Sequence, residues 1–305
     1  MSYIQSPLNY TGGKYKLLPQ IEPLFPNDIR TLVDMFCGGG NVGINIHCQR
    51  IVFNDIDKSV MGILKIFHKH TEEDIEQRIV QVIDKFDLSM ASRHGYGYYN
   101  CNSSDGLGKY NQDKYLRLRD YVNSIKVRND DYYLHLYVLI VYAFNNQIRF
   151  NSKGAYNLPV GKRDFNIEMQ GKLRRFVSKL RSISCDFESS DFELFSPQKM
   201  DTRDFVYADP PYLITCATYN EKGGWTEKDE IRLLNYLDSL SECDIRFALS
   251  NVLTNKGRTN IILRDWLFSH KSDYRCHHLN FDYSNSNYHA LSRNKDCDEI
   301  LVTNY

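Results

Sequence analysis

The chain has 305 residues, of which 42% are hydrophobic and 25% charged, and its formal net charge at pH 7 is zero. This composition predicts a soluble globular protein with one large domain or two smaller ones, and it neither supports nor excludes nucleic acid as a partner. No run approaches the roughly 20 apolar residues of a membrane span, and the first residues do not resemble a signal peptide, so we expect a cytoplasmic protein.

The first part of the chain predicts half of a doubly wound α/β sheet. Residues 31–36, TLVDMF, predict a short buried strand, and a glycine cluster follows it. Residues 42–48 could form a short helix, and residues 51–54 predict a second strand that ends at Asp55. Strand, glycine turn, helix, strand and acid in this order are typical of that fold.

The middle of the chain has a helical pattern. Thr71, with an acid three residues later, predicts the start of a helix whose apolar side chains recur at helical spacing. Residues 89–113 are rich in Ser, Gly, Asn and Tyr and predict a loop. The apolar run 132–144 favours a buried helix by its length.

The α/β pattern returns near residue 175. Residues 205–208 predict a strand, and Thr226 predicts the cap of a helix that reaches about residue 241. Further strands are predicted at 245–250, 275–281 and 299–303. We therefore predict one α/β domain in two parts, residues 1–57 and 171–305, interrupted by a mostly helical insertion at 58–170.

The charges are unevenly distributed along the chain. Nine basic residues and two acids lie between 145 and 181, whereas seven acids and two bases lie between 184 and 209. A basic segment in a neutral chain is a candidate phosphate-facing surface, although a solvated helix face has the same pattern.

The cysteines do not indicate a metal site. The eight cysteines include no Cys-x-x-Cys pair, so we expect reduced thiols. Cys276, His277 and His278 are the most metal-like group, but no second ligand pair lies at zinc spacing, so no metal is expected.

Two short motifs could surround an adenosine-type cofactor. Gly38, Gly40 and Gly43 match G-x-G-x-x-G, which is a tight turn in the simplest case and brings backbone close to a ligand in the dinucleotide fold. Asp55 ends the next strand, where a carboxylate can bind both hydroxyls of a ribose. The segment YTGGK, from Tyr10 to Lys14, is not a P-loop; it is either a surface turn or a loop that covers a cofactor and offers a cation to a carboxylate.

The segment FVYADPPYLIT carries the most specific chemistry. Asp209 follows the predicted strand and so lies at the carboxyl edge of the sheet, where α/β ligand sites form. An exocyclic amino group becomes nucleophilic when its two N–H groups are held by acceptors. Asp209 and the Pro210 carbonyl can supply them, and Pro210 and Pro211 fix the backbone. Tyr212 offers a flat face to a base that has left the helix stack.

These motifs together resemble the Dam/DpnII-like class of adenine-specific DNA methyltransferases, which use S-adenosylmethionine. The resemblance extends nearly from end to end and includes YTGGK, DMFCGGGNVG, FNDID, NNQIRFNSKGAYNLPVGKR, FVYADPPYLIT and EILVTNY. It implies a Rossmann-like methyltransferase sheet with an inserted, mostly helical target-recognition domain, and methylation of a flipped adenine in double-stranded DNA, with GATC as the expected sequence.

The resemblance also assigns residues. The implied catalytic residues are Asp209, Pro210, Pro211 and Tyr212. The implied cofactor contacts are Tyr10, Lys14, Phe36, Gly38, Gly40, Asp55, Asp191, Phe192 and Asp209. The implied DNA contacts are Asn145, Arg149, Asn151, Pro159, Lys162 and Arg163. Asn9 stands where some relatives carry a lysine that touches DNA.

Other functions are compatible with parts of the pattern. An amino-methylase of cytosine or RNA would share the Asp209 motif, and the remote alternative of a nicotinamide-dependent oxidoreductase rests on the glycine turn and Asp55 alone. A non-catalytic DNA-binding module would not need Asp209. A cognate restriction endonuclease is a possible functional partner, and the sequence does not define the oligomeric state.

Overall fold

The computed structural model describes residues 3–10, 12–215, 224–280 and 297–305. The chain divides into two compact units, each assembled from separate stretches. The first unit comprises Met1–Gly13, Gly38–Asn45 and Asp57–Phe187. The second unit comprises Lys14–Cys37, Ile46–Ile56 and Glu188–Tyr305. The proposed division at residues 57/58 and 170/171 remains a prediction about domains.

The described residues contain both helices and strands. The strands are β1 (Thr31–Asp34), β2 (Arg50–Asn54), β3 (Cys185–Glu188), β4 (Phe205–Ala208), β5 (Arg246–Asn255), β6 (Arg258–Thr259), β7 (Arg275–Leu279) and β8 (Cys297–Thr303). The α-helices are α1 (Leu18–Ile21), α2 (Lys58–Lys69), α3 (Glu72–Phe86), α4 (Ala91–His94), α5 (Gly108–Ser124), α6 (Asp130–Tyr142), α7 (Ile167–Arg181), α8 (Glu227–Glu242) and α9 (Ile261–Ser269). Among these helices, none is long and apolar enough to cross a membrane.

The second unit is built on a sheet whose strand order changes direction beside β1. Within this unit the order is β2-β1-β4-β5-β8-β7, and β6 pairs with β5. The first four strands are parallel, and β8 is antiparallel to both of its neighbours. Strand β2 lies on one side of β1 and strand β4 on the other, so the strand order reverses at β1. This switch point is where doubly wound sheets bind ligands, and the predicted fold class is confirmed.

Helix α8 packs on this sheet through an apolar stripe, and a cap fixes where the helix begins. Thr226 accepts a hydrogen bond from the Asp229 backbone, and the Asp229 side chain accepts one from the Thr226 backbone; this capping box confirms the predicted helix cap. Leu233, Leu237 and Leu240 are buried in the core beside the sheet. A helix start fixed in this way places the same apolar face on the strands throughout its length.

The first unit is mainly helical, as the pattern of the insertion predicts. Helix α6 is buried on nearly every side and contacts α2, α3 and α5. Thr71 caps α3 by accepting from the Asp74 backbone, which confirms the predicted helix start. Helix α7 was not predicted as one continuous element, although Leu173, Phe176, Val177 and Leu180 form its buried stripe.

Two local predictions were wrong, and two predicted strands are present with different bounds. Residues 42–48 form only a short 3₁₀ turn, Gly43–Asn45, because the Asn45 side chain bonds to backbone of Ile4 and Asn41 instead of continuing a helix. The predicted loop 89–113 contains α4 and the beginning of α5. The predicted strand 245–250 extends to Asn255. The predicted strand 275–281 is present up to Leu279, and its last residue lies outside the described residues.

Candidate active site

The site begins with the carboxylate that follows β4. The side chain of Asp209 is 17% exposed, and its Oδ1 lies 2.9 Å from Lys14 Nζ. The Tyr212 hydroxyl donates a hydrogen bond to the same oxygen at 2.7 Å. Both contacts use Oδ1, so the described part of the chain leaves Oδ2 to another donor. Pro210 is buried and Pro211 exposed between the two side chains.

A second carboxylate completes this group. Glu299 on β8 is 2% exposed, and its Oε1 lies 3.5 Å from Lys14 Nζ. The Tyr212 hydroxyl is also 3.3 Å from Oε1 of Glu299. The Lys14 ammonium lies 4.9 Å from the centre of the Tyr212 ring. We refer to Lys14, Asp209, Tyr212 and Glu299 as the Asp209 cluster.

The environment of the cluster raises the pKa values of Asp209 and Tyr212. Burial raises the pKa of Asp209, and the neighbouring Glu299 carboxylate adds to this rise, whereas Lys14 and the Tyr212 hydroxyl oppose it. Burial and the two carboxylates raise the pKa of Tyr212 well above its usual range. The phenol therefore stays protonated and donates to Asp209. A carboxylate with one oxygen fixed by two donors can accept a further hydrogen bond through the other.

Asp55 and the acidic segment after β3 meet at the carboxyl end of β2. Asp55 is buried, its backbone N–H donates to the Glu188 carbonyl at 3.4 Å, and its carbonyl accepts from the Ser189 hydroxyl at 2.9 Å. The Asn54 amide donates to the carbonyls of Met35 and Ser190. Asn54 thus joins the ends of β1 and β2 to the segment that carries Asp191 and Phe192.

Three aromatic rings pack beside this segment. The ring centres of Phe36 and Phe192 are 5.9 Å apart, and Trp225 lies 5.7 Å from Phe36 and 6.3 Å from Phe192. The Trp225 indole N–H donates at 2.6 Å to Glu230, a fully buried carboxylate. Arg232 lies over the Phe192 ring and pairs with Asp191 at 3.0 Å. Phe36, Asp191 and Phe192 are therefore neighbours, as the resemblance implies, and sequence reasoning missed Trp225.

The glycine turn lies in the first unit, against Tyr10. Gly38 has φ +48°, and a Cβ on it would lie 2.8 Å from the Tyr10 ring. Gly40 has φ +76°, which also favours glycine. The Ser6 backbone N–H donates to the Asn41 side chain at 2.9 Å, which holds the N-terminal segment beside this turn. Two of the predicted motifs are thus brought together by direct contact.

The first predicted DNA segment begins with an exposed turn. Asn145 is exposed and has φ +54°, and its carbonyl accepts a hydrogen bond from the Asn9 side chain at 2.7 Å. Phe144 beside it is 51% exposed, which is unusual for an aromatic ring of this size. Sequence reasoning missed both the role of Asn9 as a partner of this turn and the exposure of Phe144.

The side chains of Arg149 and Asn151 each form hydrogen bonds within their own segment. Arg149 Nε donates to the Asn157 side chain at 2.9 Å. The Asn151 side-chain oxygen accepts from the backbone of Lys153 and Ala155, each at 3.0 Å. Asn151 therefore shapes the turn that presents Lys153, whereas the guanidinium of Arg149 is oriented by one of its donors.

The second predicted DNA turn is exposed at its side chains and fixed at its backbone. Pro159, Lys162 and Arg163 are all exposed. The Pro159 carbonyl accepts from the Phe144 backbone at 2.9 Å, and the Lys162 carbonyl accepts from Leu107 at 3.0 Å.

The next residue, Asp164, joins this turn to the segment at 89–113. Asp164 is buried, and its Oδ2 accepts from the Ala91 backbone at 2.5 Å. Burial raises the pKa of this carboxyl group. Ser89, which lies 3.5 Å from the same oxygen, is bonded in turn to the side chain of Asn111. The segment at 89–113 therefore supports the backbone of the predicted DNA turn.

Metal ligands do not gather in the part of the chain that the structure describes. No group of three His, Cys, Asp or Glu side chains there could hold an ion. Cys276 is exposed, and His278 Nδ1 lies 2.8 Å from Asp298.

Known proteins resemble this chain over most of its length. A family model described as "D12 class N6 adenine-specific DNA methyltransferase" matches residues 10–279. Modification methylase StsI of Streptococcus sanguinis is 38% identical over 99% of this chain and 43% of its own length. Type II methyltransferase M.FokI of Planomicrobium okeanokoites is 40% identical over 100% of this chain and 43% of its own length. A DNA adenine methylase of Haemophilus influenzae is 27% identical over 67% of this chain and 63% of its own length. The chain thus spans less than half the length of the first two relatives.

Proposed function

The chain belongs to the D12 class of N6 adenine-specific DNA methyltransferases, and on this premise we propose that it transfers a methyl group from S-adenosylmethionine to the exocyclic amino group of an adenine in double-stranded DNA. The observation that carries this proposal is the geometry of Asp209. Its Oδ1 is held by Lys14 and Tyr212, so its Oδ2 can accept an N–H from an amino group.

The Asp209 motif supports this chemistry without a covalent intermediate. The lone pair of an adenine amino group is delocalised into the ring, so the nitrogen attacks only when its geometry approaches tetrahedral. Asp209 Oδ2 accepts one N–H, and the Pro210 carbonyl accepts the other. Fixed acceptors of this kind stabilise the positive charge that develops on nitrogen and need no reorganisation. A protonated Tyr212 keeps its hydroxyl on Asp209, and the face of its ring opposite Lys14 would stack on the flipped base.

The donor set near β2 fits an adenosine-type cofactor. When bound, S-adenosylmethionine supplies the methyl group on its sulfonium. Asp55 would bind the ribose hydroxyls, and Phe36, Asp191 and Phe192 would surround the adenine. Tyr10, Gly38 and Gly40 remain candidate cofactor contacts. The remote oxidoreductase alternative leaves the Asp209 cluster without a use.

The segment from Asn145 to Arg163 supplies the proposed DNA contacts. An arginine can bind guanine through O6 and N7, and Arg149 already has its guanidinium oriented by Asn157. Lys162 and Arg163 are exposed cations that suit phosphates. The exposed ring of Phe144 can fill the gap that a flipped base leaves in the stack. We propose residues 58–170 as the target-recognition insertion that carries these contacts.

The DNA sequence that is recognised is the most detailed part of the proposal. The resemblance to Dam-type enzymes favours GATC. The identity to the two modification methylases, 38% and 40%, exceeds the 27% identity to a DNA adenine methylase. A restriction endonuclease is therefore proposed as a functional partner, and the methylated sequence is an outcome of the test below.

The test is methyl transfer from labelled S-adenosylmethionine to plasmid DNA, followed by strand-resolved mapping of the methylated bases. We expect label on adenine at one short sequence. Label on cytosine, or transfer to RNA and not to duplex DNA, would replace the proposal by one of the amino-methylase alternatives. Tight binding of NAD with no binding of S-adenosylmethionine would overturn it altogether.

A further inference from the structure

We propose that Glu299 is a positioning residue for methyl transfer, which holds Lys14 and Tyr212 on one oxygen of Asp209 and thereby keeps the other oxygen directed at the substrate amino group. This inference rests on the proposed function. It assigns a role to a residue outside the Asp209 motif, 90 positions further along the chain.

The distances connect Glu299 to Asp209 through two intermediates. Lys14 Nζ is 2.9 Å from Asp209 Oδ1 and 3.5 Å from Glu299 Oε1. The Tyr212 hydroxyl is 2.7 Å from Asp209 Oδ1 and 3.3 Å from Glu299 Oε1. Each intermediate therefore touches the same oxygen of each carboxylate. Removing the Glu299 carboxylate therefore takes an acceptor from both Lys14 and Tyr212.

The Asp209 carboxylate needs partners that fix its orientation. The terminal torsion of an aspartate is broad and roughly two-fold, so its two oxygens exchange readily unless a partner distinguishes them. Two donors on Oδ1 distinguish them here. A third group that fixes both donors reduces the freedom of the carboxylate further, and a displacement of about 1 Å can cost about 10²-fold in rate.

Glu299 lies on a strand that is hydrogen-bonded on both sides. Its strand, β8, is paired on both sides, with Val252 of β5 and Leu279 of β7 opposite Glu299. The register of β5 against β8 shifts between Val252 and Thr254, at the step from Glu299 to Asp298. An acid at this place in a buried strand is costly unless it is paired, and its partners here are Lys14 and Tyr212.

Asp298 provides a matched control on the same strand. It is the neighbouring acid, so it projects to the opposite face, where it lies 2.8 Å from the exposed His278. Asp298→Asn and Glu299→Gln each remove one negative charge and keep the side-chain volume. Only Glu299→Gln changes the Asp209 cluster.

The experiment measures kcat, the KM values for S-adenosylmethionine and DNA, and the melting temperature of both variants. We expect kcat of Glu299→Gln to fall about 10- to 100-fold, with both KM values within about three-fold of wild type. Asp298→Asn should retain the wild-type kcat. A variant that lost melting temperature and kept kcat would show a structural ion pair and overturn the inference.

Glu299→Asp answers the case in which Glu299→Gln does not fold. It keeps the charge and withdraws the carboxylate from Lys14 and Tyr212, so we expect a near-native melting temperature and a reduced kcat. An unchanged kcat in this variant would contradict the role of Glu299 while the proposed function stands. Absence of methyl transfer by the wild-type protein would instead contradict the proposed function, and the inference with it.

Discussion

The Asp209 cluster and the segment from Asn145 to Arg163 satisfy their polar groups in opposite ways. In the cluster, charged side chains are buried and bound to one another, as with Lys14 at 3% exposure and Glu299 at 2%. In the segment, the backbone is bonded within the protein, whereas Lys162 and Arg163 are exposed. The cluster is therefore organised before a substrate arrives, whereas the proposed partners of the segment's side chains come with the DNA. This difference predicts separate effects on rate and on specificity.

The largest effect is expected for Asp209→Ala, which removes one of the two proposed acceptors. Loss of one preorganised hydrogen-bond partner of a reacting group costs about 10²–10³ in kcat, and Lys14 also loses one of its carboxylate partners. Asp209 is also a candidate cofactor contact, so the affinity for S-adenosylmethionine, measured by calorimetry, should fall, but by a smaller factor than kcat. Asp265→Ala, on the exposed face of α9, is the control. Turnover of Asp209→Ala near the wild-type rate would contradict the role of Asp209 as an acceptor in the reaction.

Arg149→Ala should change specificity more than rate. A bidentate contact to guanine contributes about 1–3 kcal/mol of discrimination, so methylation of sites altered at one base pair should rise relative to the cognate site. Lys153→Ala, in the turn shaped by Asn151, is the control and should weaken binding to all sequences alike. A uniform loss in Arg149→Ala would make this residue a phosphate contact.

Trp225→Ala should weaken cofactor binding by roughly 2- to 10-fold, because an aromatic contact contributes about 0.5–1.5 kcal/mol. Trp225 packs on Phe36 and Phe192, which are proposed to surround the cofactor adenine. The chain has two tryptophans, so Trp266→Phe leaves Trp225 as a single fluorescent reporter. We expect S-adenosylmethionine to change its emission. Unchanged emission at saturating cofactor would exclude Trp225 from the cofactor pocket.

The acid limb of kcat should reflect Asp209. The ionised carboxylate is the acceptor, and burial raises its pKa, so activity should be lost at a higher pH than for an exposed aspartate as the pH falls. The charged or titratable groups that influence this carboxyl group are Lys14, Tyr207, Tyr212 and Glu299. Glu299→Gln removes a neighbouring anion, so its acid limb should move to lower pH. A movement to higher pH would contradict this electrostatic account.

The smallest effect is expected for Asp164→Asn. Burial raises the pKa of Asp164 in the folded protein, so its contribution to stability is present at low pH and is lost as the pH rises through the folded pKa. Asparagine does not titrate there. The free energy of unfolding, measured by urea titration at several pH values, should therefore depend less on pH in this variant. An unchanged dependence would exclude Asp164 as its source.

The sequence predicted the elements whose signals are local. The capping pair Thr226 and Asp229 and the apolar run 205–208 define their own helix and strand, and the order of motifs predicts the doubly wound sheet. Contacts between distant positions carry no such signal. The bond from Asn9 to Asn145 joins residues 136 positions apart. In the sequence, Glu299 is an acid beside Asp298 at the start of an apolar run. Only the structure shows that it lies beside Lys14. Trp225 follows the Asp209 motif closely in sequence, but only packing identifies its neighbours.

The most direct test of the central claim is nucleoside mass spectrometry of duplex DNA after incubation with S-adenosylmethionine and either the wild-type protein or Asp209→Asn. The variant keeps the size of the side chain but removes its charge. One carboxylate oxygen becomes an amide nitrogen, which donates hydrogen bonds and does not accept them. We predict N6-methyladenine with the wild-type protein and none above background with Asp209→Asn. N4-methylcytosine as the product, or equal N6-methyladenine from both proteins, would contradict the account.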